Sequence, residues 1–147
     1  MKSPDKFENY LRKGIIRKKT SDKSRARDLF EEANRKMNSM KLILNKIGLN
    51  NENANDIVES CYDILINLIR SKMLIAGFAS TGIGAHEAEI SYLRKLNFSE
   101  KEVIIANQLR YFRNGIKYYG KRFDSESANK VIEFLNKSIK TLEKENK

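Results

Sequence analysis

The chain contains no tryptophan, one proline, one cysteine, one histidine and seven glycines in 147 residues. Each shortage removes a class of explanation. The single Cys61 excludes an intramolecular disulfide and any cysteine-rich metal site. The single His86, flanked by Glu87 and Glu89, leaves no room for the paired Glu-x-x-His motifs of a di-iron bundle, and no metal or cofactor is expected. No apolar run approaches the roughly 18 to 20 residues of a membrane span. The opening Met1-Lys2-Ser3-Pro4-Asp5 lacks the apolar stretch of a signal peptide, so a soluble, cytoplasmic chain is expected. Scarce proline, together with long periodic segments carrying few strand signals, points to an all-α fold.

Positive charge is what the chain has in excess. Its 29 Lys and Arg outnumber 19 Asp and Glu, a net charge of +10, which makes a polyanion the first partner to consider. A merely well-solvated surface is the plainer reading. The cations gather in two places: Lys13, Arg17, Lys18, Lys19, Lys23, Arg25 and Arg27 crowd the first quarter, while Arg110, Arg113, Lys117, Lys121 and Arg122 form a later stripe. Such clustering favours contact with nucleic acid.

Periodicity divides residues 1–147 into one domain: a basic segment, 1–20, containing a short helix, and a bundle over 21–147. Ser3-Pro4 suits the start of the short helix, which ends near Gly14, and Ile15 to Thr20 follow as a connection or frayed helix. Ala26, Leu29, Phe30, Ala33, Met37, Met40, Leu44 and Ile47 keep helical spacing from Ser21 or Asp22 to Gly48. Ala54 to Ala76 make the next long helix, with Cys61 as a buried small hydrophobe, and Gly77 ends it. Phe78 to Gly84 reads as a flexible loop and Ala85 to Leu96 as a short helix, in which His86 shares the face of Ile90 and Leu93 as a packed, hydrogen-bonded histidine. Ser99-Glu100-Lys101-Glu102 is a capping box, Gly120 a stop, and Asp124 or Ser125 caps the last helix. The expectation is an antiparallel bundle of four long helices with one or two shorter ones, burying Leu29, Phe30, Leu65, Leu68, Leu109, Phe112 and Leu135.

The helix between the capping box and Gly120 is the most informative. Ile105, Leu109, Phe112, Ile116 and Tyr119 share an apolar face. Arg110, Arg113, Lys117 and Lys121 form a second sector suited to phosphates, and Ile104, Gln108, Tyr111, Gly115 and Tyr118 a third. A glycine inside a helix costs roughly 1 kcal/mol relative to alanine, so Gly115 implies close approach of another helix, from this chain or a second subunit.

Gly84-Ala85-His86-Glu87-Ala88-Glu89-Ile90 and Arg113-Asn114-Gly115-Ile116-Lys117-Tyr118-Tyr119-Gly120 together resemble the HEPN domain superfamily, over roughly Ser21 to Leu142. The resemblance implies a small helical bundle, typically a homodimeric, metal-independent endoribonuclease, often a toxin paired with a minimal nucleotidyltransferase antitoxin. Arg113 and Asn114 match its Arg-x4-6-His motif, but Tyr118, Tyr119 and Gly120 occupy the histidine positions. A phenol near pKa 10 is a poor base at neutral pH, so a degenerate ribonuclease site of Arg113, Asn114 and Tyr118 is implied, with little cleavage expected. Five residues set Arg113 and Tyr118 about 140° apart on a regular helix. Convergence would need distortion near Gly115 or Gly120, or two subunits. An active endoribonuclease using Arg113 and Tyr118, and an interaction module that pairs with a nucleotidyltransferase without touching RNA, remain as alternatives.

Overall fold

The computed structural model describes residues 3–144. In order come α1 (Phe7–Arg12), β1 (Ile16–Lys18), α2 (Lys23–Lys46), α3 (Ala54–Ala76), β2 (Phe78–Ser80), α4 (Ala85–Ser91) continued by a 3-10 turn over Tyr92–Leu96, α5 (Glu100–Tyr119) and α6 (Ser125–Lys144). Helix makes up 74% and strand 4%, so the all-α class holds with one small two-stranded sheet added.

The centre is α3. It is apolar on most of its circumference because it is covered on several sides, by α2, α4, α5, α6 and β2. Ile57, Val58, Cys61, Ile64, Leu65 and Ile69 are buried there, each large aliphatic chain contributing about 1.5 to 3 kcal/mol on leaving water. Burial also pushes the Cys61 thiol up to about 12, which keeps it an inert packing group beside Met40. The ends follow local chemistry. Asp22 accepts from the amide of Arg25 at 3.0 Å to start α2, and Ser99 with Glu102 forms the reciprocal capping box of α5. Asp124 accepts from the amide of Ser127 at 2.8 Å at the head of α6. Gly77 closes α3 at φ +88, where a Cβ would meet the Lys19 carbonyl oxygen at 2.8 Å.

The two inter-helix turns that lie at one end are tied together. Asn55 donates to the Lys121 carbonyl and accepts from the Phe123 amide, both at 2.8 Å, while Asn51 accepts from the Ser125 amide at 2.9 Å.

Several expectations are corrected. The short N-terminal helix starts at Phe7, not at Pro4, because the Arg94 guanidinium takes the carbonyl oxygens of Pro4 and Asp5, each at 2.7 Å. The expected connection after it and the expected flexible loop contain β1 and β2, paired antiparallel with Ile16 opposite Ser80 and Lys18 opposite Phe78. The helix expected over Ala85 to Leu96 tightens into a 3-10 turn after Ser91. Leu65, Leu68, Leu109 and Leu135 are buried as expected, but Leu29 is half-buried, Phe30 is 43% exposed and Phe112 sits at the surface against Phe123, ring centroids 5.1 Å apart. Tyr119, assigned to the apolar face of α5, is exposed as well. Phe30 faces an open groove beside α3, and Tyr119 is the last residue of α5 before the Gly120 stop.

Candidate functional site

Helix α5 presents its basic sector as the spacing requires, because steps of three and four bring Arg110, Arg113 and Lys117 onto one side. The three differ in their surroundings. Arg110 is partly buried; its Nε donates to Asn107 at 3.0 Å and its Nη2 lies 3.6 Å from Glu87. Glu87 also accepts from the Tyr10 hydroxyl at 2.6 Å, which joins α1, α4 and α5, and burial with this bond raises the Tyr10 pKa. Lys117 is exposed beside the Tyr118 ring. Arg113 forms no hydrogen bond or ion pair among the described residues; its guanidinium stands over the Tyr62 ring, 5.7 Å from the centroid.

Tyr62 leads from the basic sector to His86. The two rings stack at 5.9 Å with an 18° tilt, and the Tyr62 oxygen is 2.9 Å from His86 Nδ1. The other ring nitrogen, Nε2, is 3.1 Å from Arg70 Nη2. A guanidinium only donates, so Nε2 accepts, the ring proton is on Nδ1, and it donates to Tyr62. His86 is held as one neutral tautomer. Its pKa is lowered first by burial, with Arg70, Arg113 and Arg110 acting in the same direction and Glu89 opposing them.

Arg70 is fixed in turn by Glu89, whose Oε2 receives Arg70 Nε at 2.7 Å and the Ser80 hydroxyl of β2. The Glu89 side chain is 2% exposed and its Oε1 has no hydrogen-bond partner among the described residues. A cavity of about 440 Å³ is lined by Arg70, Ser80, His86 and Glu89, and by Lys19 and Arg25 from the basic first quarter. The tertiary fold thus brings cations from both ends of the sequence to the surroundings of one histidine.

The residues named from sequence are not all brought together. Arg113 reaches the histidine network through Tyr62, and Asn114 is half-buried beside it on the helix. Tyr118 is 64% exposed, and α5 remains regular through Gly115, so Arg113 and Tyr118 keep their wide angular separation. Lys121 follows the Gly120 stop; its amide donates to the Gly115 carbonyl at 3.1 Å and its side-chain stem covers the glycine, with Cδ 3.1 Å from where a Cβ would be. Within the chain the close neighbour of Gly115 is therefore this returning lysine, not another helix. Among the described residues no group of three His, Cys, Asp or Glu side chains is placed to hold a metal ion, and no helix is long and apolar enough to cross a membrane.

Tyr62, Arg70 and Ser80 were not singled out from the sequence, and Glu89 was named there only as a neighbour of His86. Arg70 carried a signal, as the lone charge in the largely apolar stretch between Ile64 and Ser71, which calls for a buried partner. Ser80 carried none, since its role depends on the pairing of two three-residue strands. The chain matches no family model, no curated protein and no solved structure.

Proposed function

We propose that this chain is a HEPN-like, RNA-associated protein of a toxin–antitoxin or defence system, with a degenerate ribonuclease site. In this reading α2, α3, α5 and α6 form the antiparallel bundle, and Arg110, Arg113, Lys117 and Lys121 follow the phosphates of a single strand. The observation that carries it is Arg113, a guanidinium without a carboxylate partner among the described residues, held over the Tyr62 ring that leads on to His86 and Arg70. Such a cation is free to meet a phosphate, which it binds in a planar, two-pronged fashion.

Loss of catalysis is supported by the same geometry. Both His86 nitrogens are engaged, its lone pair by Arg70, so it offers no base in this arrangement. Tyr118 is exposed and turned away from Arg113 around the helix, which weighs against the ribonuclease that would use the pair. Exposed Tyr111, Phe112 and Tyr118 support a homodimer through this side of α5, and a nucleotidyltransferase-type antitoxin is the protein partner that the reading implies.

The test is a titration of labelled single-stranded RNA, without added metal, followed on gels for binding and for cleavage. Binding without cleavage is expected. Arg110, Arg113 and Lys117 replaced together by Ala lower both the affinity and the salt dependence, by about 0.7 in log-log slope for each phosphate that is no longer neutralised. An unchanged titration removes the RNA reading from α5. Metal-independent cleavage that disappears in both Arg113→Ala and Tyr118→Phe overturns the degenerate site.

A further inference from the structure

Helix α2 carries an apolar stripe that α3 does not fully cover. Ala26, Ala33 and Met40 are buried, whereas Phe30, on the same stripe, is 43% exposed. Ile75 of α3 is 52% exposed nearby. Both line an open groove of about 980 Å³ whose walls are α2 and α6 and whose floor is α3, with Met37, Ile64, Leu68 and Ile139 supplying more of the apolar surface. Between Lys23 and Lys41 the α2 wall is about 27 Å long, the length of a five-turn helix. No segment among the described residues occupies this groove.

Its edges are charged with one sign. Lys23, Arg27 and Lys41 on α2, Lys72 on α3 and Lys140 on α6 line it, against Glu143 as the one carboxylate of the lining among the described residues. Lys23, Arg27, Lys41 and Lys140 form no ion pair among the described residues. Charge selects the occupant. A second copy of this chain would set the same cations against themselves, which costs affinity across an interface. A nucleic-acid strand would find phosphate partners but only one aromatic ring, Phe30, on which to stack a base. An aliphatic floor about five turns long between cationic walls suits an amphipathic helix with one apolar face and acidic flanks.

We propose that the groove between α2, α3 and α6 is a docking site for an acidic amphipathic helix of a partner protein. The apolar face of that helix covers Phe30, Ile75 and the floor, and its flanking carboxylates meet Lys23, Arg27, Lys41 and Lys140. This site is separate from the α5 face assigned to RNA and does not depend on that assignment.

The test uses the full chain and a fluorescent peptide of about 18 residues, with leucines at helical spacing and glutamates on both flanks. A second peptide has lysines in place of the glutamates. The glutamate peptide is expected to bind about tenfold or more tightly than the lysine peptide, and less tightly as salt is added. Phe30→Asp and Ile75→Asp each weaken it by about tenfold or more, Phe30→Leu retains it, and Arg113→Ala leaves it unchanged. Circular dichroism establishes that each variant is folded, and both Asp substitutions are at exposed positions. Failure of the glutamate peptide to bind, or equal binding of the two peptides, overturns the proposal. So does displacement of the peptide by RNA, which assigns the groove to nucleic acid, or conversion of a native dimer to monomer by Phe30→Asp, which assigns it to a second copy.

Discussion

Arg70 connects Glu89, the least exposed charge of the site, to the histidine, and its removal separates packing from electrostatics. The Glu89 carboxylate lies almost wholly out of water and relies on Arg70 and Ser80 for its partners. Arg70→Ala leaves that charge uncompensated and is expected to cost about 3 to 5 kcal/mol in urea melts. The double substitution Arg70→Met with Glu89→Leu removes both charges and is expected to cost less than Arg70→Ala alone. A larger loss in the double variant argues that the pair itself holds β2 to α4. His86 gives a second prediction at this scale. Because its folded pKa is below the ordinary 6.5, the unfolded chain takes up a proton at a higher pH than the folded one. The stability tied to neutral His86 is therefore complete above pH about 6.5 and is lost as pH falls through that value toward the folded pKa. As the chain has no other histidine, melts between pH 7.5 and 5.5 read this one group among the side chains. His86→Gln, which offers Arg70 an acceptor that does not titrate, is expected to flatten the dependence, and an equally steep curve in that variant removes His86 as its source.

At the scale of elements, the buried side of α5 carries Val103, Ala106, Asn107 and Leu109, and Arg110 turns partly inward among them. Leu109 is 2% exposed on the inner side, so Leu109→Ala is expected to lower stability by about 2 to 5 kcal/mol, and a loss below about 0.5 would contradict its packing. The end of the helix is held differently, by Lys121 folding back over Gly115 and by Asn55 receiving the chain at Lys121 and Phe123. Asn55→Ala removes two backbone bonds at once. A destabilisation of about 1 to 2 kcal/mol is expected, with faster amide exchange at Phe123 as the local signature. Exchange unchanged at that amide would mean the turn is held by Asn51 and Arg122 instead.

For the whole molecule, the decisive quantity is how many chains assemble. The exposed rings of Tyr111 and Tyr118 lie beside Arg110 and Lys117 on α5, so the two-fold contact proposed through them would bring those cations of the two chains toward one interface. Sedimentation equilibrium is expected to return a dimer at micromolar concentration that Tyr111→Asp shifts toward monomer. A monomer under these conditions removes the homodimer, and a dimer insensitive to Tyr111→Asp moves the contact off α5.

Helical spacing, capping residues and stop glycines were sufficient to locate α2, α3, α5 and α6, because those signals act between residues a few positions apart. The basic sector of α5 was legible for the same reason. Local spacing cannot report what covers a helix, so Phe30 and Phe112 carried the pattern of buried residues and emerged at the surface. Nor can it pair Ile16 with Ser80 across more than sixty residues, or anticipate that Arg94 would draw the N-terminal segment onto α5 through Glu100. The histidine network belongs wholly to that second category. Its members come from α3, β2 and α4, and only their convergence turns a lone cation, a serine and an acidic position into a fixed neutral imidazole beside Arg113. Short-range chemistry determined the elements; burial and long-range pairing, which depend on where each element lies, decided which side chains meet.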